Sequence, residues 1–175
     1  MKISPNLIIR DHLNTLRDAR SNQKSRADLV LFYALPLALG IASYWIICLS
    51  TADFYNVSIT FFGIFVALLL NIQVAVFSIF QRKWERSSDQ KIAEISDDQL
   101  ASRLKLLQEI NANISYAVLV SCAALFIFIL LYGIHFTFNI ATSISVFIYL
   151  HFLLTLLMII KRSHALFRTE YENEL

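Results

Sequence analysis

The sequence is poor in helix breakers, in charge and in cysteine. Its 175 residues include three Gly and two Pro, too few to punctuate a chain of short strands and turns, so long uninterrupted helices are expected. Two Cys do not make a disulfide framework. Counting along the helices puts Cys48 near one membrane edge and Cys122 near mid-depth, roughly 15 Å or more away, so the two cannot bridge within a chain. Charged residues make up 16% of the chain and the net charge is +2, which gives no footing for direct nucleic-acid binding. No phosphate-binding glycine loop, zinc-protease helix or paired-cysteine motif occurs, and no spacing suggests a catalytic triad. The sequence therefore identifies no reaction, no metal site and no cofactor. About 26 mostly polar residues precede the first long apolar run, which is not the pattern of a cleaved leader, so that run is expected to be a retained anchor.

What the chain has in excess is apolar surface: 57% of it is hydrophobic. Four apolar runs stand out, at 28–50, 57–80, 113–135 and 138–160. Each is about 23 residues, enough to cross a hydrocarbon core of roughly 30 Å at 1.5 Å per residue. A soluble bundle with four such runs would need a far larger polar shell. The expected fold class is therefore all-α, a polytopic membrane protein with four transmembrane helices. Its organisation reads as an N-terminal segment (1–27), spans 1 and 2 (28–80), a helical stalk (81–112), spans 3 and 4 (113–160) and a C-terminal tail (161–175).

The basic residues set the direction. All fifteen Lys and Arg fall in the N-terminal segment, in the segment between spans 2 and 3, or in the tail, and none in the short connections at 51–56 and 136–137. Positive residues stay cytoplasmic, which predicts a multi-pass protein of the cell inner (plasma) membrane, N-in and C-in. Tyr44, Trp45, Phe54 and Tyr55 are expected as aromatic anchors outside and Trp84 inside. The outer connections are too short to form a domain, so function is expected within the bilayer or at its cytoplasmic face.

In the N-terminal segment Ser4 and Pro5 suit an N-cap and first helical residue, and Ile9, Leu13 and Leu16 recur at helical spacing. Two placements are open: an amphipathic helix on the membrane surface, or one packed on the protein's own cytoplasmic hairpin. His12 and His164 read as solvated. In the stalk, Ser87-Ser88-Asp89 is a stop signal and Ser96-Asp97-Asp98-Gln99 fits a capping box, predicting one helix from about Asp97 to His135. Leu100, Leu104 and Leu107 form an apolar stripe, read either as a contact for a cytoplasmic protein partner or another copy, or as packing within the chain. The tail continues span 4, basic first and acidic at Glu170, Glu172 and Glu174.

No Asp, Glu, Lys or Arg lies in the interior of a span, which argues against a carboxylate relay. Counting from the outer ends puts Asn71 and His151 about 20 Å deep, near Ser121 and Pro36. Pro36 has no N–H and frees an upstream carbonyl. Three uses of this layer are open: interhelical hydrogen bonding, an oligomeric pore lined by Asn71, Ser121 and His151, or a metal, haem or quinone bound at His151, with no second histidine at that depth to assist. Asn71 and Gln73 are two residues apart on a helix, so they cannot both face one neighbour. Gly63 and Ala67, Ala38 and Ala42, and Ala117 and Ser121 are small pairs suited to close helix packing, within the chain or in a homo-oligomer.

A small chain with four spans, minimal outer loops and a charged inner stalk at 81–112 resembles, in outline, the membrane subunits of bacterial anti-phage systems of the Kiwa type. The resemblance implies an oligomeric membrane sensor working with a cytoplasmic effector. It carries no motif and no residue role. Small immunity proteins against pore-forming toxins share the outline.

Overall fold

The structure, a computed structural model, describes residues 4–16, 26–46, 51–80, 90–135 and 138–173, and of residues 26, 46, 80, 90–100 and 169–173 the backbone alone. Among the described residues every regular element is helical. They are α1 (Pro5–Thr15), α2 (Arg26–Leu29), a π-helical turn (Val30–Ala34), α3 (Leu35–Ile46), α4 (Ala52–Phe80), α5 (Gln90–Gly133) and α6 (Asn139–Asn173). Four stretches are long and apolar enough to cross a membrane: Ala27–Trp45, Ala52–Ile79, Ala101–Gly133 and Asn139–Arg168. The chain is an all-helical, multi-pass membrane architecture.

The boundaries differ from the sequence reading in two places. Helix α4 starts at Ala52, taking in the connection expected at 51–56. Helix α5 already runs at Gln90 and passes through Ser96 without interruption, so the expected capping box does not start it. Gln90, Lys91, Ala93 and Glu94 are good helix formers, and extending a nucleated helix costs less than starting a new one. The stop signal at 87–89, Trp84, Cys48 and the side chains of Glu170, Glu172 and Glu174 lie outside the described residues.

Helices α4 and α5 run antiparallel and pack along their length, α5 packs on α6, and α3 packs on α6 alone. Consecutive spans 1 and 2 are thus not neighbours. Aromatic side chains fill the space between α4, α5 and α6. Phe62 stacks on Phe128 at 5.7 Å and meets Phe152 edge-on at 5.2 Å. Tyr149 adds a hydroxyl hydrogen bond to Ser58 at 2.9 Å. Tyr55, expected as an outer anchor, is buried in this core, whereas Trp45 is 74% exposed. The α3–α6 contact depends on Gly40, where a Cβ would stand 2.8 Å from the Ser143 carbonyl oxygen. The close approach in span 1 therefore falls at Gly40, while Ala38 is exposed.

Burial is uneven. Only 11% of the apolar stretch of α4 is buried within the chain, against 39% for α5 and α6. Val57, Ile64, Leu68, Val74 and Phe77 of α4 are exposed, as a lipid-facing helix requires.

Candidate functional site: a buried polar junction at the basic end

One end of the bundle carries Arg10, Arg103, Lys105, Lys161, Arg162 and Arg168. There α1 docks on α5. It is packed on its own chain, with His12, Thr15 and Leu16 inward, while Leu7 and Ile9 are exposed. His12 was expected to be solvated; it is 0% exposed. Its Nδ1 is 2.8 Å from Asn113 Oδ1, a distance at which the ring N–H donates to the amide oxygen. Thr15 Oγ1 lies 2.7 Å from the His12 carbonyl and 2.9 Å from Asn113 Oδ1, so its single proton is shared between the two or given to one. Arg162 of α6 donates from Nη2 to the Thr15 carbonyl, and its Nε lies 3.6 Å from Glu109 of α5. Burial lowers the His12 pKa to about 4, helped by His151 and Arg162 and opposed by the Asn113 hydrogen bond. The ring is neutral at pH 7.

Tyr116 joins this group to the spans. Its ring stacks on His12 at 3.8 Å, 5° from parallel. Its hydroxyl lies 2.8 Å from His151 Nε2 and 3.4 Å from the Tyr33 hydroxyl. His151 Nδ1 lies 2.8 Å from the Phe32 carbonyl. That carbonyl only accepts, so Nδ1 carries the proton, Nε2 accepts from Tyr116, and Tyr116 accepts from Tyr33. The Phe32 carbonyl is free because the residue four positions on is Pro36, which has no N–H. The π-helical turn makes the same adjustment, with the Leu35 N–H reaching back five residues to Val30. The acceptor expected upstream of Pro36 is thus present, and His151 uses it.

The structure does not bring the three expected layer residues together. His151 faces Tyr116 and Phe32. Ser121 is buried but bonds its own helix, at the Ala117 carbonyl. Asn71 is exposed on α4. Gln73 points the other way and donates to Asn111 Oδ1 and Ser115 Oγ at 3.2 and 3.0 Å. Among the described residues of one chain, then, Asn71, Ser121 and His151 do not face one another. Both ring nitrogens of His151 are engaged, which leaves no lone pair for a metal in this arrangement. His12 is the second histidine that the sequence reading placed elsewhere. Among the described residues no group of three His, Cys, Asp or Glu is placed to hold a metal.

In the leucine stripe, Leu107 is 2% exposed inside the chain's own core and Leu104 is half-buried. The Leu100 side chain lies outside the described residues. Leu107 is turned inward because it begins the core face of α5 that continues through Ile110, Ile114 and Ala117. Gly63 has nothing within 4 Å of an added Cβ, and Ala67 is exposed beside it, so this pair faces away from the chain.

Asn113, Tyr33, Tyr116 and Arg162 were not singled out from sequence as site residues. The signal was present: Glu109, Asn113 and Tyr116 recur at i, i+4 and i+7, and His151, Thr155 and Arg162 at i, i+4 and i+11, each set on one helical face. No family model, curated protein or solved structure matches this chain, so a functional reading rests on the chemistry of this junction.

Proposed function

We propose that this chain is a non-enzymatic, oligomeric subunit of the inner membrane, N-in and C-in, that anchors, senses for or regulates a cytoplasmic protein partner. The observation that carries the reading is how α1 is held. Its inward contacts are His12 and Thr15 on Asn113 and Arg162, polar groups as well as the apolar Leu16. The neutral bonds have a net worth of about 1 kcal/mol each and the one from Arg162 about 1.5–3 kcal/mol, because water replaces them on release. A helix held this way is exchangeable, and Tyr116 ties its seat to Tyr33 and His151 of two other spans. Any shift among those spans changes the hold on α1, and a partner that takes α1 shifts the spans by the same coupling.

The one-sided distribution of Lys and Arg supports the orientation. The outward stripe Gly63, Ala67 and Asn71 on α4 supports self-association, because an amide in lipid gains a hydrogen bond from a second copy. The outline shared with anti-phage membrane subunits suggests phage defence as the setting. The cytoplasmic contact is assigned to α1 and to the part of α5 before Leu104.

The test is purification of the tagged, full-length chain from its native membranes, beside a form lacking residues 90–106. A soluble protein should accompany the intact chain at fixed stoichiometry and be lost with the deletion. Retention of that protein by the deleted form would remove α5 from the contact, and retention by a form that also lacks residues 5–15 would overturn the reading.

A further inference from the structure

The geometry points to a phospholipid site in the groove between the first span and α6, where Lys161 and Arg162 hold the lipid phosphate and the walls hold an acyl chain. The groove has a volume of about 290 Å³; Leu31, Leu154, Leu157 and Met158 line it with the charged residues Asp28, Lys161 and Arg162, and Leu16, the residue after α1, lines it as well. The lining is graded along α6. Leu154, Leu157 and Met158 lie toward the bilayer, and Lys161 and Arg162 follow at the basic end. A phospholipid has the same grading, hydrocarbon below and phosphate at the boundary. Leu31 and Leu157 are 43% and 60% exposed, so the groove opens to lipid.

Arg162 is pre-set for an anion. Its Nη2 is fixed on the Thr15 carbonyl and its Nε faces Glu109. Its Nη1 is buried and has no hydrogen-bond partner among the described residues. A guanidinium held in place loses little side-chain entropy when it takes a phosphate oxygen. Lys161 beside it is exposed and supplies a second positive charge. Asp28 on α2 and Glu109 on α5 are the acidic groups near the guanidinium, and they keep the rim from being uniformly positive. His12, the other titratable group close by, is neutral at pH 7. Because Arg162 and Leu16 also seat α1, a lipid in this groove touches the junction directly. The site does not depend on the cytoplasmic partner proposed above.

The test uses native mass spectrometry of the full-length protein in mild detergent. Dioleoyl phosphatidylglycerol, dioleoylglycerol and inorganic phosphate are titrated separately. Saturable retention of one phosphatidylglycerol per chain is expected, with no comparable retention of dioleoylglycerol or free phosphate. Lys161→Gln should weaken retention about tenfold, the worth of one charge-assisted hydrogen bond, and Leu154→Trp should block the groove. Equal retention of dioleoylglycerol, or retention unchanged in both variants, would mean annular lipid only and would overturn the site. Lys161 is solvent-exposed, so its variant reads the site even if Leu154→Trp fails to fold.

Discussion

At the scale of single residues, Tyr116 does the most joining: one face for His12 and one hydroxyl for both His151 and Tyr33. Tyr116→Phe keeps the ring and removes both hydrogen bonds, leaving the buried Nε2 of His151 unpaired. A loss of about 1–3 kcal/mol in unfolding free energy is expected, read by thermal or denaturant unfolding in detergent; a variant as stable as the parent would show that the relay contributes nothing. His12 gives a pH dependence with a defined sign. Its pKa falls from 6.5 to about 4 on docking, so docking favours the neutral ring. That contribution is complete above pH 6.5 and is lost as pH falls through about 4, up to roughly 3 kcal/mol. Protection of the amides over residues 5–15, taken relative to the intrinsic exchange rate at each pH, should therefore fall between pH 7 and 4.5, and His12→Gln should flatten that slope. Of these residues only His151 was recognisable as special, because it stood alone among apolar neighbours. The burial of His12 arises from a partner 101 positions away, a relation that local periodicity does not carry.

At the scale of elements, two glycines that each sit within an apolar run have opposite surroundings in space. Gly40 sits where α3 meets α6, and a methyl there would press on the Ser143 carbonyl and on Phe147. Gly40→Ala should force the two helices apart and cost about 1–3 kcal/mol, as overpacking does. Within a single chain Gly63→Ala meets nothing among the described residues, so in detergent that keeps the chain monomeric it should be neutral or gain up to about 1 kcal/mol from helix propensity. Unfolding of the two variants side by side checks the contrast, and equal losses would contradict the placement of α4. The small-residue pattern alone could not separate these cases, since it marks a helix able to approach another without saying which one it meets. The proline was more informative. Pro36 implied a free carbonyl on the first span, and the structure shows His151 donating to Phe32 there.

At the scale of the whole molecule, the number and helical character of the spans were legible because apolar runs of membrane length leave no other solution. The order of neighbours was not. In lipid an apolar side chain serves equally well against acyl chains or another helix, so nothing in the runs says that α3 lies on α6 and away from α4. The same argument makes the outward face of α4 the place to look for a second copy. In a chain freed of Cys48 and Cys122, Ala67→Cys should give crosslinked dimers in membranes, whereas Cys at the buried Ala117 should not; equal crosslinking at both sites would point to random collision. Helix α5 has a mechanical consequence of its own. Its 44 residues span about 66 Å, and the stretch from Tyr116 back to Gln90 about 39 Å. Stiff over that distance, it is a lever with its fulcrum at the polar junction: a tilt of about 10° there would sweep the Gln90 tip by roughly 7 Å, so a rearrangement too small to open the bundle would still be a large movement at the far end of the helix.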